Sequence, residues 1–117
     1  MNDIKILHNT RCSTSRKAMA ILDEMKVNYD VILYLDKKWF QKEIKEILDK
    51  LGMKAEDIVR KKDAFFKENY AGKDLNNKEW IKAIAENPRL IERPIIIHKD
   101  KAIVARPIDR ITDFLKG

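Results

Sequence analysis

The chain has 117 residues and is basic, with 25 lysines and arginines against 19 aspartates and glutamates and a formal net charge of +6. This length predicts a single domain with a modest core, and no apolar run approaches the ~18 residues of a membrane-spanning helix. One cysteine excludes a framework of internal disulfides. Because Met1–Ile4 leads straight into a strand without a signal peptide, we expect a cytoplasmic protein whose thiol stays free, with no membrane partner.

The positive charge is spread along the chain, since 18 of the 25 basic residues are lysines. Most of them fall on polar faces of predicted helices, so we interpret the charge chiefly as solvated surface, which also attracts anionic substrates. No RNA-binding aromatic motif or zinc-finger spacing accompanies it, and we expect no nucleic-acid partner. Two histidines and one cysteine predict no metal site.

The first third of the chain predicts a strand, a helix and a second strand. Ile4–Leu7 is typical of a short buried strand, and Ser13–Lys26 carries apolar residues at helical spacing. The run "DVILYL" at Asp30–Leu35 predicts the second strand. Such a β-α-β unit favours a parallel pair of strands joined by a right-handed crossover.

The middle of the chain predicts a helical block. An amphipathic helix ends at Gly52, where left-handed backbone geometry is common. Shorter helical pieces are expected at Glu56–Arg60 and Asp63–Asn69. Asn76 opens a further helix through a capping box, and that helix should end before Pro88.

Strands return near the end of the chain. Ile95–His98 and Ala102–Ala105 predict an antiparallel hairpin, and Pro107 suits the first turn of a final helix. The order βαβ, helical insert, ββα predicts an α/β fold with a four-stranded mixed sheet. We expect one domain, with a core at 1–38 and 93–117 and a helical insert at 39–92.

Cys12 stands in "HNTRCSTSR", between the first strand and the first helix. A free cysteine is commonly a small buried hydrophobic residue, and the residue alone leaves that alternative open. A helix N-terminus supplies unpaired N–H groups and the positive end of the dipole. Arg11, Arg16 and His8 add nearby cations, and Ser13–Ser15 add hydroxyl donors. Because these features favour the nucleophilic thiolate and the same terminus binds anions, the pattern indicates thiol attack on an oxyanion.

Arg93 and Arg106 each precede a proline at the border of a predicted strand, in "ERPII" and "ARPID". Arginines are ordinarily solvated or salt-bridged, but a guanidinium also binds tetrahedral oxyanions through paired hydrogen bonds. Sequence spacing leaves both interpretations open. His8 is likewise either a structural hydrogen-bonding residue or a group that tunes Cys12.

Four segments taken together closely resemble the glutaredoxin-coupled arsenate reductase (ArsC-like) family: "HNTRCSTSR", "DIVRKK", "NPRLIERPII" and "ARPIDRI". The resemblance runs from Ile4 to Leu115. It implies a thioredoxin-like fold in which Pro94 is a cis-proline facing the cysteine loop. The site residues that it implies are the nucleophile Cys12, the oxyanion-binding arginines Arg60, Arg93 and Arg106, and the thiolate-tuning residues His8 and Ser15.

The reaction implied by the resemblance is reduction of arsenate, or a similar oxyanion, by a monomer without a bound cofactor. The Cys12 thiolate attacks arsenate, glutathione attacks the adduct as co-substrate, glutaredoxin removes the glutathione, and arsenite leaves. The resolving thiols therefore come from partners, because the chain has no second cysteine.

Three other protein classes are alternatives to this family. The arsenate reductases built on the low-molecular-weight phosphatase scaffold require Cys-x5-Arg, and six residues after Cys12 stands Ala18, which excludes them. Spx-type regulators share the thioredoxin-like fold and bind RNA polymerase, and since position 15 is Ser15, the alternative that stays open is such a polymerase-binding regulator without the Cys-x-x-Cys switch. A monothiol glutaredoxin-like protein is the third alternative, and it requires neither the insert nor the arginines.

Overall fold

A computed structural model describes residues 3–106 and 108–116 of the chain. The strands within these ranges are β1 (Ile4–Leu7), β2 (Tyr29–Ile32), β3 (Ile95–His98) and β4 (Lys101–Val104). The α-helices are α1 (Ser13–Glu24), α2 (Gln41–Leu51), α3 (Ala64–Asn69), α4 (Asn77–Glu86) and α5 (Arg110–Lys116). The chain divides into two compact units, one of Met1–Asp36 with Arg93–Gly117 and the other of Lys37–Glu92.

The first unit contains the sheet, whose strand order is β2-β1-β3-β4. β1 runs parallel to β2 and antiparallel to β3, which in turn pairs antiparallel with β4. The predicted four-stranded mixed sheet is therefore confirmed. The parallel pair requires a crossover, which α1 supplies, and it places the start of α1 at the end of β1.

The core of the first unit lies between one face of the sheet and two helices, α1 and α5. Ile4 and Ile6 of β1 and Ile96 of β3 pack with Ala18 and Leu22 of α1 and with Ile111 of α5. Ala18 and Leu22 are four positions apart and so share one face of the helix. Burying a leucine or isoleucine side chain contributes about 1.5–3 kcal/mol, so this cluster fixes the helix that carries the cysteine loop.

The second strand is shorter than predicted. The sequence predicts Asp30–Leu35, whereas β2 ends at Ile32, whose carbonyl accepts a hydrogen bond from the His8 N–H at 2.9 Å. The chain then turns, with the Asp36 N–H donating to the Leu33 carbonyl at 3.0 Å. An apolar run does not distinguish a strand from the turn that follows it, and this one includes both.

Two further element ends differ slightly from the predicted ones. Helix α1 ends at Glu24, before Lys26, which takes a left-handed φ of 58°. β4 begins at Lys101, so the hairpin turn has two residues, and Lys99 in that turn also has a φ of 58°. Neither lysine is a residue type that favours this conformation, so the residue type marks neither turn.

The second unit consists of helices and one short pair of extended segments. Helix α2 ends as predicted at Gly52, whose φ is +67° and whose N–H donates to the Leu48 carbonyl at 2.8 Å. Helix α4 begins with the predicted capping box, in which Asn76 Oδ1 accepts from the Glu79 N–H at 2.8 Å. It ends at Glu86, ahead of a 3-10 turn at Pro88–Leu90.

A bridge between Val59 and Ile91 pairs two segments of the second unit. The Arg60 N–H donates to the Leu90 carbonyl at 2.7 Å, and the Glu92 N–H donates to the Ile58 carbonyl at 2.6 Å. These bonds place Arg60 opposite Leu90 and Glu92 opposite Ile58, so that Arg60 and Glu92 are diagonal neighbours on the two segments.

The last helix begins at Arg110, and the Ile111 N–H donates to the Ile108 carbonyl at 3.1 Å. The predicted role of Pro107 in its first turn lies outside the described residues. Within residues 3–106 and 108–116, no helix is long and apolar enough to cross a membrane.

Candidate active site

The backbone around Cys12 presents its side chain at the start of α1. The Asn9 carbonyl accepts from the Cys12 N–H at 3.0 Å, and Asn9 Oδ1 accepts from the Arg11 N–H at 3.0 Å. Cys12 is the N-cap residue with extended geometry, and its carbonyl accepts the first helical hydrogen bond, from the Arg16 N–H at 3.1 Å. The first N–H groups of a helix have no partner within the helix, so they are available to the sulfur.

The thiol of Cys12 has a pKa below its ordinary value. Burial of the half-exposed side chain raises the pKa, but four interactions outweigh it. In order of size, they are a hydrogen bond from the Ser15 N–H, a hydrogen bond from Arg93, the charge of Arg93 and a hydrogen bond from the Thr14 N–H. Since all four stabilise the anion, the cysteine is poised as a nucleophile.

His8 and Ser15 form a buried pair beside this loop. Their Nδ1 and Oγ atoms are 2.6 Å apart, and Ser15 Oγ also accepts from the Asn9 N–H at 3.2 Å. Ser15 is fully buried and His8 nearly so. The hydroxyl thus ties the end of β1 to the first turn of α1, which holds the Ser15 N–H in place for the sulfur.

The sequence left open a positive charge on His8, and the surroundings of His8 disfavour that charge. Burial lowers the pKa of His8 below its ordinary 6.5, and the positive charge of Arg16 lowers it further. A neutral imidazole adds no cation beside Cys12. The contact with Ser15 remains as the route by which His8 affects the loop.

Arg93 supplies a cation that acts on the thiol of Cys12. Its side chain interacts with Cys12 and with the hydroxyl of Tyr34, and these interactions raise the pKa of the guanidinium although burial lowers it. The Arg93–Pro94 peptide bond is cis, the geometry expected of Pro94. The Pro94 carbonyl accepts from the Ala105 N–H at 2.8 Å, so the β3–β4 hairpin carries the backbone that positions Arg93.

The other two predicted arginines have different surroundings. Arg106 is exposed, and its N–H donates to the Val104 carbonyl at 2.9 Å. Arg60 belongs to the second unit, where its Nε lies 3.9 Å from Glu92 Oε1. In the first unit the described contacts link Cys12 to Ser15 and Arg93, and Ser15 to His8.

Tyr34, whose buried side chain interacts electrostatically with Arg93, was not among the residues predicted from the sequence. It lies inside the apolar run "VILYL", where its position is typical of a strand residue. The one signal is its hydroxyl, because a phenol in a buried run needs a hydrogen-bonding partner.

Over the described residues, no three His, Cys, Asp or Glu side chains form a cluster that would hold a metal ion.

The chain is similar to known proteins over nearly its whole length. A family model described as the ArsC family matches residues 7–114. An arsenate reductase of Neisseria meningitidis is 42% identical over 113 residues, which is 95% of this chain and 97% of that protein. An arsenate reductase of Haemophilus influenzae is 38% identical over 112 residues, covering 94% and 97%. Among solved structures, an arsenate reductase from Vibrio cholerae superposes with a TM-score of 0.87 at 32% identity, covering 94% of this chain and 95% of that chain.

Proposed function

The chain belongs to the ArsC family, and from that premise we propose that it is an oxidoreductase that reduces arsenate to arsenite through Cys12. The observation that carries this proposal is the stabilised thiolate. Two backbone N–H groups and one guanidinium lower the pKa of Cys12 against the effect of burial. The names of the relatives, which describe arsenate reductases, support arsenate as the proposed substrate.

The same groups that stabilise a thiolate also suit the oxyanion that it attacks. Arsenate carries its negative charge on several oxygens, and helix N-terminal N–H groups bind such anions. A guanidinium donates in parallel to two oxygens of one tetrahedral ion. We assign Arg93 to this role, and we keep Arg106 and Arg60 as further oxyanion ligands on the strength of the family resemblance.

The number of cysteines in the chain bears on where the electrons for the reduction come from. Reduction of arsenic(V) to arsenic(III) takes two electrons, which two thiols supply when they form a disulfide. The chain contains a single cysteine, so the electrons come from other molecules. We propose glutathione as co-substrate and glutaredoxin as protein partner, in the cytoplasm, where thiols stay reduced.

The proposed steps balance as follows. The Cys12 sulfur forms a bond to arsenic, and one arsenate oxygen leaves as water after protonation. The sulfur of glutathione then bonds to arsenic and expels a second oxygen as water. A glutaredoxin thiolate attacks the glutathione sulfur, so that a disulfide forms and the electron pair of the broken As–S bond stays on arsenic as arsenic(III). Water displaces Cys12, which returns as a thiol, and arsenite leaves.

The decisive experiment is arsenate turnover by the purified protein with glutathione and glutaredoxin both present and with each omitted. We expect turnover only with both, and none by a Cys12→Ser variant. Turnover that persists without glutaredoxin would remove that partner from the proposal and leave the reductase. No arsenite under any combination, with a fold that circular dichroism shows to be intact, would refute the arsenate reductase proposal.

A further inference from the structure

Asn9 lies between the end of β1 and Cys12 and makes three hydrogen bonds to the segment that follows it. Its backbone N–H donates to Ser15 Oγ at 3.2 Å, and its carbonyl accepts from the Cys12 N–H at 3.0 Å. Its side-chain Oδ1 accepts from the Arg11 N–H, also at 3.0 Å. One half-buried residue therefore contacts the cysteine loop at three positions.

The hydrogen bond between the Asn9 carbonyl and the Cys12 N–H closes a four-residue turn whose first residue is Asn9. Asparagine is favoured at this place because its side-chain oxygen reaches the N–H of the third residue of the turn. Here that third residue is Arg11. The start of the loop is fixed to the sheet, since the His8 N–H donates to the Ile32 carbonyl at 2.9 Å. The place of Cys12 relative to the sheet therefore depends on this turn.

The backbone of Cys12 is held on both sides. The turn holds its N–H, and its carbonyl accepts from the Arg16 N–H at 3.1 Å in the first turn of α1. Its φ of −94° and ψ of 119° are the extended geometry of an N-cap residue, which directs a side chain towards the N–H groups of the second and third helical residues. These are Thr14 and Ser15, and their N–H groups lower the pKa of Cys12. The direction of the sulfur thus follows from the backbone geometry that the turn maintains.

An amide suits the first position of this turn better than a carboxylate. Aspartate is also favoured there, because it too supplies an acceptor oxygen to the third N–H. A carboxylate this close to Cys12, however, would add a negative charge that disfavours the thiolate. Asparagine supplies the acceptor without that charge.

We propose that Asn9 is a positioning residue for Cys12: its side-chain oxygen stabilises the turn that sets the direction of the sulfur at the start of α1. The inference deepens the proposed function and rests on it for its consequence in arsenate turnover. Its effect on the thiol is measured without arsenate. Asn9 does not touch the reacting atoms in this proposal and acts through the backbone of the cysteine loop.

The test is the pH profile of Cys12 alkylation by iodoacetamide. Because the chain has one cysteine, alkylation reports that sulfur without correction for other thiols. Asn9→Ala removes the side-chain oxygen and keeps both backbone hydrogen bonds of residue 9, so circular dichroism should show an unchanged fold. We expect the inflection to move to higher pH and alkylation to slow about three- to tenfold at pH values below it. A profile that coincides with that of the wild type would overturn the inference.

Two control variants separate positioning of the sulfur from general loosening of the protein. Thr10→Ala changes an exposed residue of the same turn whose side chain takes part in none of the bonds above. Asn77→Ala removes a bond of the same kind from the second unit, where Asn77 Oδ1 accepts from the Ala55 N–H at 2.8 Å. Both variants should keep the wild-type alkylation profile, although Asn77→Ala should lower the free energy of unfolding in urea as Asn9→Ala does. A shift from either control equal to that of Asn9→Ala would overturn the inference.

Asn9→Ser tests whether the acceptor oxygen is the part of Asn9 that matters. A serine hydroxyl accepts from the same N–H more weakly, so the alkylation profile should lie between those of the wild type and Asn9→Ala. A serine profile equal to that of Asn9→Ala would contradict the proposal. If Asn9→Ala fails to fold, Asn9→Ser decides alone: a shift to higher pH supports the inference, and the wild-type profile refutes it. If the wild type does not reduce arsenate, the proposed function fails while the alkylation profiles still decide this inference.

Discussion

Arg93 and Arg60 are both assigned to an oxyanion by the family resemblance, yet the structure surrounds them differently. Arg93, in the first unit, interacts with a thiol and a phenol, and neither group is a carboxylate. Arg60, in the second unit, lies 3.9 Å from the carboxylate of Glu92. The positive charge of Arg93 therefore acts on the thiol of Cys12, whereas that of Arg60 is partly neutralised by Glu92.

This contrast indicates which arginine already acts on Cys12 in the free protein. Arg93 already lowers the pKa of Cys12, so its loss is felt in the free protein. The Arg60–Glu92 pair is partly exposed and longer than a hydrogen bond, and such pairs contribute about 0–1 kcal/mol. Breaking the Arg60–Glu92 pair should therefore cost little free energy. We expect that replacing Arg60 affects the protein only when an anion is present.

The largest effect is expected from Cys12→Ser, which removes the group on which the comparison depends. Serine keeps the shape of the N-cap residue but is not a comparable nucleophile at neutral pH. We expect arsenate turnover to fall on the order of a thousandfold or more, with an unchanged circular dichroism spectrum. A serine variant with comparable turnover would show that another group attacks arsenate, and the contrast between the arginines would lose its chemical meaning.

Arg93→Ala is expected to have the next largest effect. Charge-assisted hydrogen bonds contribute about 1.5–3 kcal/mol, so the arsenate KM should rise about ten- to a hundredfold. Since removal of a group that stabilises the thiolate raises the pKa of Cys12, alkylation should slow at low pH. At pH values above both inflections, the alkylation rates of variant and wild type should converge.

Arg89→Ala is the control for that substitution. Arg89 pairs with Asp63 in the second unit, with Nε and Oδ2 3.4 Å apart, and it has no role in the proposal. Its KM and alkylation profile should remain those of the wild type. An equal effect from both arginines would point to loss of net charge rather than to the position of Arg93.

Ser15→Ala tests the support beneath the cysteine loop. The substitution leaves the buried His8 Nδ1 without the oxygen that lies 2.6 Å away and the Asn9 N–H without its acceptor. We expect a loss of about 1–3 kcal/mol in the free energy of unfolding by urea. Ser13→Ala, an exposed serine of the same turn, should change stability by less than about 0.5 kcal/mol. Equal losses from both would place the cost in the helix terminus and not in the His8–Ser15 pair.

Glu92→Gln should produce the smallest effect, and it tests the contrast between Arg93 and Arg60 most directly. It removes the charge opposite Arg60, so the arsenate KM should fall a few-fold if Arg60 binds the anion, while the Cys12 alkylation profile stays unchanged. Glu56→Gln removes the same charge from the exposed pair with Lys61, whose Nζ and Oε2 atoms are 2.8 Å apart. An equal fall in KM for both variants would indicate a general charge effect and would remove the special role of the Glu92 pair.

Local signals predicted much of the fold. The glycine at position 52 and the capping box at Asn76 mark helix ends through their own backbone and side-chain chemistry, and both are where they were predicted. The end of β2 was wrong by three residues. Apolar residues continue through the turn after Ile32, and it is the limit of pairing with β1 that ends the strand.

The sequence alone predicts a lone cysteine at a helix N-terminus, because strand, loop and helix are adjacent along the chain. It also marks Arg93 as a candidate oxyanion ligand, but no spacing argument places that arginine next to Cys12, and only the family resemblance assigned it there. The tertiary structure set the surroundings of His8, where burial and the positive charge of Arg16 lower the pKa of the imidazole. It also buried Tyr34 between two exposed leucines, since the direction of a side chain in an apolar run is set by the turn that follows and by the core against which it packs.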